Sequence, residues 1–132
     1  MLVYIAGPLF TQGERDLLEQ IDGLCRKHGF QTYLPHRDAG VFVRGETPSR
    51  FFFDKDVVEL EKADLVIAVL NGIEVDSGTA WEMGYAYARA KRLIGYVSDS
   101  RRYDPAQQLN PMVINSLGWL AQSLEELEAM LT

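Results

Sequence analysis

Short apolar runs alternate along this chain with longer segments whose apolar residues recur every three or four positions. Residues 2–6 (Leu2, Val3, Tyr4, Ile5, Ala6) form one such run, closed by Gly7-Pro8, and predict a buried first strand. Thr11 followed by Glu14 has the spacing of a capping box, and Leu17, Ile21, Leu24, Cys25 and His28 then share a helical face up to Gly29. Residues 30–34 predict a short second strand ended by Pro35, and 36–48, with Gly40, Gly45 and Pro48, read as a long loop. Phe42 and Arg44 in that loop are either ligand contacts or surface residues with one anchoring aromatic. Thr47-Pro48 predicts an N-cap with proline at the first helical position, and Phe53, Val57 and Leu60 a core-facing stripe behind it. Phe51 and Phe52 add unusual aromatic density, as if for a partner.

Residues 65–70 are continuously apolar, as in a parallel strand covered on both faces. A turn leads to a helix expected to run to about Lys91, with Ala80, Gly84 and Ala88 at four-residue spacing so that its backbone can approach the sheet. A fourth strand at 93–97, a polar loop at 98–105 carrying Arg101 and Arg102, a short helix at 109–116 ending near Gly118 and a brief strand at Trp119-Leu120 follow. Ser123 with Glu126 caps a last helix whose Leu124, Leu127 and Leu131 face inward. Strands alternating with helices imply an α/β fold: a flavodoxin-like (Rossmann-like) three-layer sandwich with four or five parallel strands, in a single domain over 1–132.

Composition narrows the partners. A net charge of -6 opposes broad nucleic-acid binding, because neutralising phosphates needs a basic surface. Cys25 is the only cysteine, so an intrachain disulfide is excluded, and no Cys/His spacing suggests zinc. The run at 2–6 is too short for a signal h-region or a membrane span, which makes a cytoplasmic location the default expectation.

The usual nucleotide signatures are missing: Gly7-Pro8-Leu9-Phe10 has neither the lysine of a P-loop nor a dinucleotide fingerprint. The acids Asp64, Asp76 and Glu82 around the third strand are more informative. With the helix starting near Thr79, Glu82 falls in its first turn, where the positive dipole end favours an ionised carboxylate. Such a group can attack an electrophilic carbon, and paired carboxyls are the equipment of retaining glycoside chemistry. Thr79 to Glu82 equally fits a capping box in which Glu82 serves only the backbone, and Asp76 a plain turn residue.

Residues 4–10 (Tyr4 to Phe10) and 76–86 (Asp76 to Ala86) resemble the nucleoside 2-deoxyribosyltransferase family, as do 63–68 and Leu109-Asn110-Pro111-Met112. The resemblance implies that Glu82 is the nucleophile on the anomeric carbon of a 2'-deoxyribonucleoside and that the Tyr4 hydroxyl holds its carboxylate. It implies that Asp64 and Asp76 bind sugar hydroxyls or base and assist base protonation, and that Gly7, Pro8, Phe10 and Ser77 contact substrate. Asn110, with Met112 beside it, would come from a neighbouring subunit to the 5'-hydroxyl, which requires a homo-oligomer (a dimer or a trimer of dimers). The substrates implied are small 2'-deoxyribonucleosides and nucleobases, with no metal or organic cofactor, no nucleic-acid polymer and no membrane. A related enzyme class, the 2'-deoxynucleoside 5'-monophosphate N-glycosidases, would need a phosphate site from Gly7, Gly13, Arg15 and Ser77. A nucleobase- or nucleotide-sensing module without turnover is the alternative of another kind, and a phosphoribohydrolase of the Gly-Thr-x-x-Glu type is more remote. The orientation of Glu82, toward Tyr4 or toward the Thr79 amide, separates chemistry from capping.

Overall fold

A computed structural model describes residues 1–102, 104 and 106–132; Tyr103 and Pro105, in the predicted polar loop, lie outside the described residues. Five parallel strands, β1 (Leu2–Ala6), β2 (Gln31–Tyr33), β3 (Leu65–Val69), β4 (Arg92–Tyr96) and β5 (Trp119–Ala121), lie in the order β2-β1-β3-β4-β5. This is the flavodoxin-like arrangement, and the order reverses between β1 and β3, where ligands bind in such sheets.

Strict alternation along the buried strands builds two cores. Val3 and Ile5 of β1 with Leu65, Ile67 and Val69 of β3 face α1 (Gln12–Lys27) and α6 (Leu124–Met130). Tyr4 and Ala6 with Val66, Ala68 and Leu70 face α3 (Ser49–Lys62) and α4 (Ser77–Ala88). The sheet is therefore the middle of three layers.

The capping box at Thr11/Glu14 forms, Ser123 caps α6 by accepting from the Glu126 amide while the Glu126 carboxylate accepts from the Gln122 amide, and Gly29 takes the left-handed φ of 86° that stops α1. Within α1, Leu18, Ile21 and Cys25 are buried while Leu17 and Leu24 pack at the edge, and His28 is the C-cap, bonded to Glu128.

Several boundaries differ from expectation. The long loop begins with a helical turn, α2 (Pro35–Asp38), because Pro35 sits at its first position and Asp38 accepts from the Leu34 amide at 2.9 Å. Thr47 does not cap α3: Pro48 is the N-cap residue, with no side-chain bond. Phe42 packs edge-on against Phe52 at 5.8 Å, the anchoring role, and Phe51 meets Phe52 at 5.3 Å. Helix α4 ends at Ala88, and Lys91 instead donates to the Glu61 and Ala63 carbonyls. Its sheet-facing residues are Thr79, Met83 and Ala86, whereas a Cβ on Gly84 would meet open space, so the small-residue spacing serves no close approach. The helix after Leu109 is one turn, α5 (Pro111–Ile114), capped by Asn110, and the weak pattern at Trp119 is a true strand. Among the described residues no helix is long and apolar enough to cross a membrane.

Candidate active site

The carboxyl ends of β1 and β3 open into a cavity of about 540 Å³ at the switch point. Gly7, Leu9 and Phe10 after β1, Pro35, Phe53, Asp56, Val57 and Leu60 from α2 and α3, and Asp76, Ser77, Gly78, Trp81 and Glu82 from α4 line it. The core packs closely on Gly7: a Cβ there would stand 2.8 Å from Leu18 Cδ2 and 3.0 Å from Val69 Cβ.

Asp76, not Thr79, is the N-cap of α4. Its Oδ2 accepts from the Thr79 amide and from Thr79 Oγ1, both at 3.0 Å. This moves the helix start upstream, places Glu82 in the second turn and frees its side chain from capping. The helix dipole therefore does little to favour its ionisation, since that effect fades beyond the first turn. The carboxyl turns to the sheet, where the Tyr4 hydroxyl donates to Glu82 Oε2. Tyr4 is fully buried between Val3 and Ile5, and the strand's alternation aims its ring at α4.

Electrostatics here run toward protonation. Burial pushes the Glu82 carboxyl up to about 8; the Tyr4 bond opposes this, and the neighbouring Asp56 and Asp76 charges add to it. Tyr4 is raised far above the usual phenol range, first by burial and then by Glu82 and Asp56, so it remains a donor. Asp56 is also raised, chiefly by burial, against the Tyr33 hydrogen bond and Lys55. Three carboxyl groups around one apolar, aromatic-walled cavity suit a ligand with a flat ring, several hydroxyls and a positive charge that develops during reaction. Among the described residues no three His, Cys, Asp or Glu side chains are grouped as metal ligands.

The cavity brings together Glu82, Tyr4, Asp76, Ser77, Gly7 and Phe10, with Tyr4 reaching it through Glu82. Pro8 is buried behind it. Asp64 is a correction: it precedes β3, at the opposite end of the sheet, and accepts the Leu2 amide at 2.9 Å. A five-residue strand puts it on the order of 15 Å from the carboxyl ends. Asn110 and Met112 line a separate depression of about 980 Å³ beyond β3 to β5, and Met112 is 82% exposed. Within one chain they do not meet Glu82.

Sequence reasoning missed Asp56, Phe53 and Trp81. Asp56 interrupts the stripe Phe53, Val57, Leu60 at helical spacing, and a carboxylate in an apolar stripe was the available signal. That stripe walls the cavity, with only Leu60 fully buried.

Residues 3–127 match the profile of the nucleoside 2-deoxyribosyltransferase family. The chain belongs to this family. An uncharacterized protein of Ureaplasma parvum serovar 3 is 32% identical over 101 residues, covering 69% of this chain and 62% of that protein. The chain thus spans between about half and two thirds of the length of the curated relatives it matches. Among solved structures, a conserved protein from Enterococcus faecalis V583 superposes with a TM-score of 0.85 at 24% identity, covering 99% of this chain and 96% of that one. The 2-deoxyribosyltransferase of Bacillus psychrosaccharolyticus gives 0.81 at 21% identity, with coverage of 99% and 96%. The CMP N-glycosidase BcmB of Clostridium botulinum gives 0.69 at 18%, with coverage of 99% and 97%. At these identities the structural likeness establishes the shared fold.

Proposed function

We propose that this member of the deoxyribosyltransferase family cleaves the N-glycosidic bond of 2'-deoxyribonucleosides and transfers the 2-deoxyribosyl group to another base. The observation that carries the reading is the Tyr4–Glu82 pair at the floor of an acid-lined, aromatic-walled cavity. Ionised Glu82 attacks the anomeric carbon as the carbon–nitrogen bond breaks, and that bond's electron pair leaves with the base, which takes a proton from a neighbouring acid. An acceptor base then attacks the same carbon, displaces the Glu82 carboxylate and gives up its own proton; two displacements give net retention. The absence of a 2'-hydroxyl eases the positive charge on the ring, which the carboxylates stabilise.

Asp76 and Asp56 are the acids placed to bind sugar hydroxyls or base and to pass the proton; Asp56 takes the position that sequence reasoning gave to Asp64. Phe10, Phe53 and Trp81 supply the aromatic wall against which the base packs. Asn110 and Met112, exposed and remote from Glu82 in their own chain, are available to complete a second copy's cavity in a homo-oligomer.

The second reading is hydrolysis of a 2'-deoxynucleoside 5'-monophosphate, favoured by Ser77 and Gly78 at the first turn of α4 on the cavity wall. The other expected phosphate groups argue less for it: Arg15 already donates to the Leu9 and Phe10 carbonyls, and Gly13 does not line the cavity. The non-catalytic sensor is disfavoured because a buried carboxyl raised to about 8 is costly to keep without a task.

Incubating the protein with deoxyinosine plus adenine, and separately with deoxyadenosine monophosphate, distinguishes these. Deoxyadenosine in the first tube supports transfer. Free adenine from the second alone supports the hydrolase, and binding of base with no turnover in either supports the sensor. Full activity in a Glu82→Ala variant would overturn both enzymatic readings.

A further inference from the structure

Glu82 is not the only carboxyl in the cavity held by a strand tyrosine. Tyr33 of β2 lies beside Tyr4 of β1 in the sheet register, so both side chains leave the same face. Their rings stack with centroids 5.3 Å apart and planes 27° apart. Each hydroxyl ends on a carboxyl from a different helix: Tyr4 donates to Glu82 of α4, and Tyr33 donates to Asp56 Oδ1 of α3 at 2.8 Å.

We propose that Tyr33 is a positioning residue that aims Asp56 into the cavity, as Tyr4 aims Glu82. The idea extends the enzymatic reading above, and its activity arm rests on that reading. Tyr33 is 5% exposed and does not line the cavity, so it acts from behind Asp56 and not on a ligand. Its phenol is pushed above the usual range by burial first, then by Asp56, with Asp38 and Glu59 adding to the effect. It stays protonated and donates to Asp56 Oδ1. One Asp56 oxygen is thereby fixed on Tyr33, leaving Oδ2 for a ligand.

Helix α3 supplies little other restraint, since Leu60 is its only fully buried residue and its N-cap makes no side-chain bond. The charged and titratable groups facing Asp56 are Lys55 on its own helix, Tyr33 on β2, Tyr4 on β1 and Glu82 on α4. Of these, Tyr33 and Lys55 favour the ionised form, while burial opposes it. The stacked rings make the two tyrosine–carboxyl pairs one rigid unit, so that the two acids keep a fixed separation across the space for a sugar.

The test uses Tyr33→Phe, which keeps the stacked ring and removes only the hydroxyl, together with Asp56→Asn and the double variant. Carboxyl carbon NMR follows the titration of Asp56 without reference to any activity. Loss of the Tyr33 donor is expected to move the Asp56 midpoint upward, and an unchanged midpoint overturns the proposal. Turnover of a deoxynucleoside should fall roughly tenfold in kcat/KM for Tyr33→Phe. The same change made in the Asp56→Asn background should cost nothing further. Multiplying losses in the double variant would mean that Tyr33 supports the fold generally, which also overturns it. If the wild-type protein turns over no deoxynucleoside or deoxynucleotide, the enzymatic reading has failed, and the NMR titration still decides the role of Tyr33.

Discussion

Replacing Glu82 by glutamine should make the protein more stable, and increasingly so as pH rises. The folded state raises this carboxyl from its ordinary 4.5 to about 8, mainly by burial. Between those values the unfolded chain has released a proton that the folded chain keeps. The unfolded state therefore binds fewer protons, and stability falls with pH across that window. Below about 4.5 the group is neutral in both states and imposes nothing; above about 8 the penalty is complete. At about 1.36 kcal/mol per pH unit, the rise from 4.5 to about 8 sets a ceiling of about 5 kcal/mol. Glu82 is only partly buried as a residue and faces an open cavity, so solvent screening reduces the expected gain to about 2–3 kcal/mol. Glutamine can still accept from Tyr4 and has nearly the same shape, which isolates the charge. Urea unfolding of both proteins at pH 5, 7 and 9 measures it. The difference should be small at pH 5 and reach its plateau by pH 9. A difference that is the same at all three pH values, or a wild type that is the more stable at pH 9, would refute the reasoning.

The same titration governs chemistry: because attack needs ionised Glu82, kcat/KM for a deoxynucleoside should climb with pH and level off above about 8. A profile that is flat from pH 6 to 9 would disconnect Glu82 from the rate. Asp64→Ala should leave turnover within about twofold and cost no more than about 1 kcal/mol, because the residue holds only the Leu2 amide at the far end of the sheet. A large loss of turnover with intact folding would place Asp64 back in the mechanism. Asp76→Ala should cost about 1 kcal/mol in urea unfolding from the lost cap of α4, in addition to any loss of activity. Unchanged stability would show that the Thr79 bonds contribute nothing.

What the sequence by itself determined is the part written in local periodicity and chemistry. Short apolar runs such as 65–70, bounded by turn residues, mark the buried parallel strands, Thr11/Glu14 and Ser123/Glu126 fix two helix starts, and Gly29 fixes one stop. Glu82 was legible as a candidate because its motif resembles that of a known family. Whether it capped a helix or faced a ligand was not legible, because Asp76 and Thr79 are both acceptable caps on local grounds. Only the tertiary structure decides, by setting Tyr4 against the second turn of α4. The acids sort by the same rule. Asp64 sits next to β3 in sequence, but a parallel strand sends its two ends to opposite sides of the molecule, and the cavity lies at the other end. Asp56, hidden in an apolar stripe, reaches the cavity because α3 packs beside the reversal point of the sheet. Proximity across strand order is a property of the folded sheet, and no spacing along the chain encodes it.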